Sequence, residues 1–63
     1  MACAPPPELM AAISSALARE RSEIDADKRA RMQVGISAAV DGWMRGRMTT
    51  AQTMLLLRVA TLD

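Results

Sequence analysis

Apolar residues recur at a spacing of three or four positions in three stretches of the chain, which are separated by charged or glycine-containing segments. This spacing places the apolar side chains of each stretch on one face of an α-helix, and no stretch alternates as a half-buried strand does. The pattern therefore predicts an all-α fold, a small three-helix domain that spans residues 8–63. The first two stripes consist of Leu9, Ile13, Ala16 and Leu17, and of Met32, Ile36, Ala39, Val40 and Trp43.

The ends of these helices are predicted from proline, glycine and capping residues. Three consecutive prolines favour an extended backbone, so residues 1–7 are expected to form a flexible leader, with Pro7 also starting the first helix. Gly46 is expected to end the second helix, and Thr49 and Gln52 match a capping box that starts the third. The predicted helices cover residues 7–22, 27–45 and 50–62.

The connection between the first two helices falls in a charged stretch, since nine of the thirteen residues from 19 to 31 are charged. A turn is expected near residues 22–26, with Ser22 or Asp25 capping the helix that follows. The alternative is one continuous helix, because Ala, Glu, Arg and Lys all favour helices and the stretch contains neither glycine nor proline.

The third helix is apolar on almost every side, which is typical of a helix that is covered on more than one side. The face expected to pack on the other helices consists of Ala51, Leu55, Val59 and Leu62. Met54 and Leu57 point away from that face, and an exposed apolar patch usually binds another protein. The predicted partner-binding residues are Trp43, Met44, Met48, Met54 and Leu57, with a place in the core as the alternative for Trp43.

Small residues recur along one strip of the second helix, at Gly35, Ala39, Gly42 and Gly46. Such a strip allows a neighbouring helix to approach closely. In the alternative interpretation, Gly42 and Gly46 only mark the fraying end and the C-cap of the helix.

The number of large apolar side chains is small for a self-contained core. Of the 63 residues, 32 are hydrophobic, but 12 of these are alanine, one is cysteine and only 19 are larger apolar residues. Burying one large apolar side chain contributes roughly 2 kcal/mol, whereas ordering one residue costs about 1.5 kcal/mol. A partner is therefore expected, either another protein or a second copy of the chain in a homodimer.

The residue types present exclude most catalytic and metal-binding chemistry. Histidine is absent and cysteine occurs once, at Cys3, so neither a zinc site nor an intramolecular disulfide can be assembled. Histidine is also the commonest general acid–base at neutral pH. We therefore expect a non-enzymatic protein without catalytic residues, metal or cofactor. Uncharged runs reach only ten residues and no signal-peptide pattern is present, which predicts a cytoplasmic chain without a membrane span.

The C-terminal third is locally basic, although the net charge of the chain is only +1. Arg45 and Arg47 precede the third helix and Thr50 and Gln52 open it, so these four residues are the candidates for contact with an anion or nucleic acid. The alternative function is therefore a small helix-turn-helix-like DNA-binding regulator, and a third hypothesis is a structural subunit of a larger assembly. The low net charge favours a protein partner over DNA.

The seven residues from Gly46 to Gln52, followed by an apolar helix, resemble the C-terminal part of the VbhA-like antitoxins. The resemblance covers about a third of the chain and implies a three-helix inhibitor of a Fic toxin. In that family a Ser or Thr is followed, after three residues, by an inhibitory Glu and then by Gly or Asn. Here Arg19 occupies the position of that Glu relative to Ser15, so no inhibitory residue is carried over. Small inhibitors, antitoxins and phage- or plasmid-type effectors are the expected kinds of function.

Overall fold

The computed structural model describes residues 4–62, which fold into three α-helices joined by short connections. Helix α1 is Pro7–Ser22, α2 is Ala26–Met44 and α3 is Thr50–Ala60, and residues 4–62 contain no strand. The predicted all-α three-helix fold is confirmed, and α2 and α3 end one and two residues earlier than expected. Cys3 and the rest of residues 1–3 of the expected leader lie outside the described residues.

The chain breaks between α1 and α2, so the alternative of one continuous helix is wrong. Asp25 has an extended backbone and caps α2, because its carboxylate accepts hydrogen bonds from the backbone N–H groups of Asp27 at 3.0 Å and Lys28 at 3.4 Å. The Arg29 guanidinium donates to the carbonyl oxygen of Glu23 through Nε at 3.0 Å and through Nη2 at 2.5 Å. The side chains of Asp25 and Arg29 therefore stabilise a turn that contains neither glycine nor proline.

The connection between α2 and α3 follows the signals in the sequence. Gly46 has a φ of +72°, the left-handed conformation in which a side chain would be strained, and the N–H of Arg47 returns to the Gly42 carbonyl at 2.9 Å. In the capping box, the Gln52 N–H donates to the Thr49 hydroxyl at 3.1 Å and the Thr49 N–H donates to the Gln52 side-chain oxygen at 2.9 Å.

Replacing Thr49 by alanine is expected to lower the free energy of unfolding by about 1 kcal/mol, because the N–H of Gln52 loses its acceptor. In a domain of this size that corresponds to a decrease in Tm of roughly 4–8 °C. Thr49→Ser is the control, since it keeps the hydroxyl and is expected to leave Tm nearly unchanged. Thermal unfolding followed by circular dichroism measures both, and an equal loss for the two variants would contradict a capping role.

The core is formed by a few residues from all three helices, and the buried polar group within it is satisfied. Thr53 is fully buried, and its hydroxyl donates to the Thr49 carbonyl at 2.9 Å. At the edge of the core, Arg19 donates to the Thr61 carbonyl at 3.0 Å and so connects the end of α1 to the end of α3. The buried apolar cluster consists of Leu9, Ala16, Ile36, Ala39 and Leu57.

Helix α3 packs through a different face from the one expected. Leu57 is 2% exposed, so its predicted exposure is wrong, and Met54 is half-buried against the core. The side chains of Leu55, Val59 and Leu62, which were expected to be buried, are 60%, 55% and 62% exposed. The apolar surplus therefore lies on the opposite side of the helix.

The close approach of α2 and α3 explains this choice of face. A Cβ atom built on Gly35 would lie 2.5 Å from the Cβ of Ala60, so glycine is what allows the two helices to meet there. Thr53, Leu57 and Ala60 share the inward face of α3, and two of these three residues are small. The close-approach interpretation of the small-residue strip therefore holds at Gly35, where the neighbouring helix belongs to the same chain.

The other two glycines of the strip have separate roles. A Cβ on Gly42 would meet the sulfur of Met48 at 2.5 Å, so Gly42 makes room for the side chain that follows the turn. A Cβ atom on Gly46 would meet no other atom within 4 Å, so space does not require glycine there. Glycine is needed at this position because φ is positive, which agrees with the C-cap interpretation.

Candidate protein-binding surface

The distribution of large apolar side chains is the main feature of the surface. Among residues 4–62, four large apolar side chains are buried, whereas eight are at least 39% exposed. Single exposed apolar residues are ordinary on soluble proteins, but contiguous ones mark interaction sites. The eight exposed residues are Met10, Leu17, Ile24, Val34, Met44, Leu55, Val59 and Leu62.

Three of these eight residues belong to one continuous surface on α3. Leu55 and Val59 lie four residues apart on the same exposed face of α3, and Leu62 follows two residues after the helix ends at Ala60. Two shallow grooves of about 420 and 430 Å³ lie beside this line, towards α2 and towards the turn before α3, and both have Leu56 and Val59 in their walls. We call this region the α3 surface; it consists of Met48, Leu55, Leu56, Val59 and Leu62.

The charged residues around the α3 surface are all basic. Lys28 and Arg31 line the groove near Leu62, and Arg47 lines the groove near Leu55, while no described Asp or Glu lines either groove. Lys28 lies 3.8 Å from a Glu23 carboxylate oxygen, whereas Arg31 and Arg47 form no ion pair within residues 4–62. Basic side chains therefore stand at both ends of the apolar line.

A second apolar cleft of about 710 Å³, which we call the Trp43 cleft, lies where the start of α1 meets the turn between α2 and α3. Trp43 lies in its wall half-buried, and its indole N–H donates to the Thr50 hydroxyl at 3.3 Å. Met44 is 73% exposed at the cleft, and Met48 is half-buried. Of the predicted partner-binding residues, the structure thus brings together Trp43, Met44 and Met48. The remaining lining residues are Pro5, Leu9, Ile13, Val40, Gly46, Thr49, Thr50 and Thr53.

The other two predicted partner-binding residues lie elsewhere. Met54 and Leu57 line a groove of about 240 Å³ between α1 and α3, together with Ala12 and Ala16. Leu57 is buried among the helices and has almost no surface to offer a partner. Met54 keeps partial exposure but faces α1 and not the Trp43 cleft.

The residues predicted for anion or nucleic-acid contact are mostly engaged within the chain. Arg45 forms an ion pair with Asp41 at 2.9 Å, one helical turn earlier. The Gln52 side chain is part of the capping box, and the Thr50 hydroxyl accepts from Trp43. Arg47 is exposed at the end of the α3 surface and is the member of this group that keeps its side chain available.

Sequence reasoning assigned Leu55, Val59 and Leu62 to the core because they are large, apolar and in helical register. The small-residue strip of α2 argues against this assignment, because a close contact between α2 and α3 along that strip requires small residues on the facing side of α3. Thr53 and Ala60 supply these partners on the face of Leu57, and Ala51 provides the only small residue of the face first chosen. Pairing the two small-residue faces would have predicted the observed rotation of α3.

Neither a metal site nor a membrane-crossing helix is found in the described part of the chain. No group of three or more His, Cys, Asp or Glu side chains there could hold a metal ion. None of the helices α1 to α3 is both long enough and apolar enough to cross a bilayer. Comparison of the chain with protein-family models, curated proteins and solved structures finds no match.

Proposed function

We propose that this chain is a non-enzymatic protein-interaction module that binds another protein through the α3 surface. The observation that carries the proposal is the line of Leu55, Val59 and Leu62, each more than half exposed. Leu55 and Val59 lie on the face of α3 opposite the core, and Leu62 follows the end of the helix. Contiguous apolar surface of this kind on a small domain is typical of a contact with another protein. Small inhibitors, antitoxins and phage- or plasmid-type effectors are the kinds of protein that fit this proposal.

The gain from covering this line is large compared with the stability of so small a domain. Fully burying a Leu or Val side chain contributes about 1.5–3 kcal/mol, so covering the exposed half of three such side chains contributes about 3 kcal/mol. A domain of this length has a free energy of unfolding of roughly 3–9 kcal/mol. Binding that buries the α3 surface therefore also stabilises the fold.

The intrachain contacts favour a protein partner over duplex DNA. A recognition helix reads bases through polar side chains at its start, but Thr50 and Gln52 are hydrogen-bonded within the chain and Arg45 is paired with Asp41. The exposed side of α3 offers Leu55 and Val59, which have no hydrogen-bond donors. The Trp43 cleft adjoins the α3 surface at Met48 and extends the proposed contact.

Replacing Leu55 and Val59 together by glutamine is expected to abolish partner binding while the fold is retained. Both side chains are exposed, so the free energy of unfolding should change by no more than about 0.5 kcal/mol for each. The tagged chain is used to capture proteins from its native host, which are identified and quantified by mass spectrometry. We expect the protein held by the wild type to fall at least tenfold with the double variant.

Val34→Gln is the matched control for this experiment. Val34 is 70% exposed on α2 and lines neither groove of the α3 surface, so it tests whether loss of any exposed apolar side chain has the same effect. The control variant is expected to capture the same protein as the wild type. Capture of that protein by the Leu55→Gln/Val59→Gln variant at the wild-type level would contradict the proposal.

A further inference from the structure

We infer that the α3 surface binds an acidic amphipathic helix of its partner protein, and does not bind a second copy of this chain. The inference rests on the proposed function and adds the chemical class of the partner. It starts from the juxtaposition of an apolar line on α3 with basic side chains at both of its ends, and from the absence of any described acidic residue in the grooves beside it.

The shape of the surface fits a helix. Leu55 and Val59 are four residues apart, or about 6 Å along the axis of α3, and Leu62 continues the line just beyond the end of the helix. Two grooves lie beside the line, one against α2 near Gly35 and one against the turn at Met48, and the shared residues Leu56 and Val59 form the ridge between them. A ridge between two grooves is the surface against which another helix packs its own apolar stripe, with contacts at intervals of three and four residues.

The charges around the line select the partner. Arg31 and Arg47 form no ion pair within residues 4–62 and stand at opposite ends of the line, beside Leu62 and Leu55 respectively. A partner helix that carries Asp or Glu on either side of its apolar stripe pairs with both arginines at once. Lys28 adds to the same field, although Glu23 lies 3.8 Å from its ammonium group.

The same charges disfavour a homodimer through this surface. In a two-fold symmetric dimer the same patch faces itself, so three basic side chains of each copy would be gathered around one apolar contact. Two of the acidic groups around the start of α2 are already engaged within the chain, because Glu23 pairs with Lys28 and Asp25 caps α2. Like charges placed opposite each other disfavour association of two copies, whereas opposite charges favour association with an acidic partner and accelerate it.

Two synthetic 18-residue helical peptides test the inference. Both carry the same leucine stripe, and one has glutamate and the other lysine at the flanking positions. Their binding to the full-length chain is measured by fluorescence anisotropy of the labelled peptide at 50 and 500 mM salt. We expect the glutamate peptide to bind at least about tenfold more tightly at 50 mM salt, since it forms two or more exposed ion pairs, and we expect this ratio to shrink at 500 mM.

Charge-reversal variants test whether Arg31 and Arg47 cause the preference for the glutamate peptide. Arg31→Glu/Arg47→Glu is expected to remove or invert the preference for the glutamate peptide. Arg21→Glu, at an exposed position of α1 that lines neither groove of the α3 surface, is compared with the single reversals Arg31→Glu and Arg47→Glu, which change the net charge by the same amount, and it is expected to retain the preference. Circular dichroism of each variant establishes that the helices are retained.

Several results would overturn the inference. If both peptides bind equally, without salt dependence, and Leu55→Gln/Val59→Gln abolishes both, the partner class is wrong while the proposed function stands. If neither peptide binds, the inference fails; a wild-type dimer in sedimentation that the same double variant dissociates would identify a second copy as the occupant. Binding of a 20-base-pair DNA duplex in competition with the glutamate peptide would also overturn it.

Discussion

Leu57→Ala is expected to lower the free energy of unfolding by about 2–4 kcal/mol, whereas Leu55→Ala changes it by no more than about 0.5 kcal/mol. The two residues are two positions apart on α3, and the substitution is chemically the same. Leu57 is 2% exposed in the core cluster and Leu55 is 60% exposed. Removing the buried side chain leaves a cavity, while removing the exposed one leaves only solvent.

This pair isolates burial from the other effects of the substitution. Leucine and alanine both favour helices, so the difference in helix propensity is nearly the same at the two positions. Urea unfolding followed by circular dichroism gives both free energies, and the domain is small enough for Leu57→Ala to leave a substantial unfolded fraction. Equal losses for the two variants, or a larger loss for Leu55→Ala, would mean that α3 presents a different face to the core.

Gly35→Ala is expected to lower the free energy of unfolding by up to about 2 kcal/mol, although alanine is the better helix former. The new Cβ would lie 2.5 Å from the Cβ of Ala60, which is attached directly to the backbone of α3 and cannot rotate away. The two helices must separate, at an overpacking cost of roughly 1–3 kcal/mol that outweighs a propensity gain of about 1 kcal/mol.

Gly42→Ala is the matched control on the same helix. Its new Cβ would also lie 2.5 Å from a neighbour, but that neighbour is the sulfur of Met48, near the end of a flexible side chain. We expect the free energy of unfolding to stay the same or rise by up to about 1 kcal/mol. Ala60→Gly in the Gly35→Ala background should recover at least about 1 kcal/mol of coupling energy in a double-mutant cycle. Additive losses would contradict direct contact between the two residues.

Most of the secondary structure could be predicted because its signals are local. Gly46 at the left-handed position and the reciprocal hydrogen bonds of Thr49 and Gln52 act between residues close in sequence. Asp25 was one of two candidate caps, and the break at α2 depends on its carboxylate and on the Arg29 guanidinium. The choice between a break and a continuous helix was open because helix propensity carries no information on those side-chain contacts.

The candidate site could be predicted only in part. Trp43, Met44 and Met48 do lie together at one cleft, because the turn between α2 and α3 brings its flanking residues close. Leu57 was assigned to the exposed side and Leu55 to the core, and the structure reverses both. A helix that is apolar all round has no pattern that distinguishes its faces, so sequence periodicity could not choose between them.

The sequence by itself determined that the chain is helical, where the first and third helices begin, and that it has few large apolar side chains for its length. Only the tertiary structure decided which side of α3 is buried. The physical reason is the distance between helices: Gly35 lets α2 approach α3 closely, and this contact accepts the face of Thr53, Leu57 and Ala60. Leu55, Val59 and Leu62 are left on the surface beside Arg31 and Arg47, where a partner can reach them.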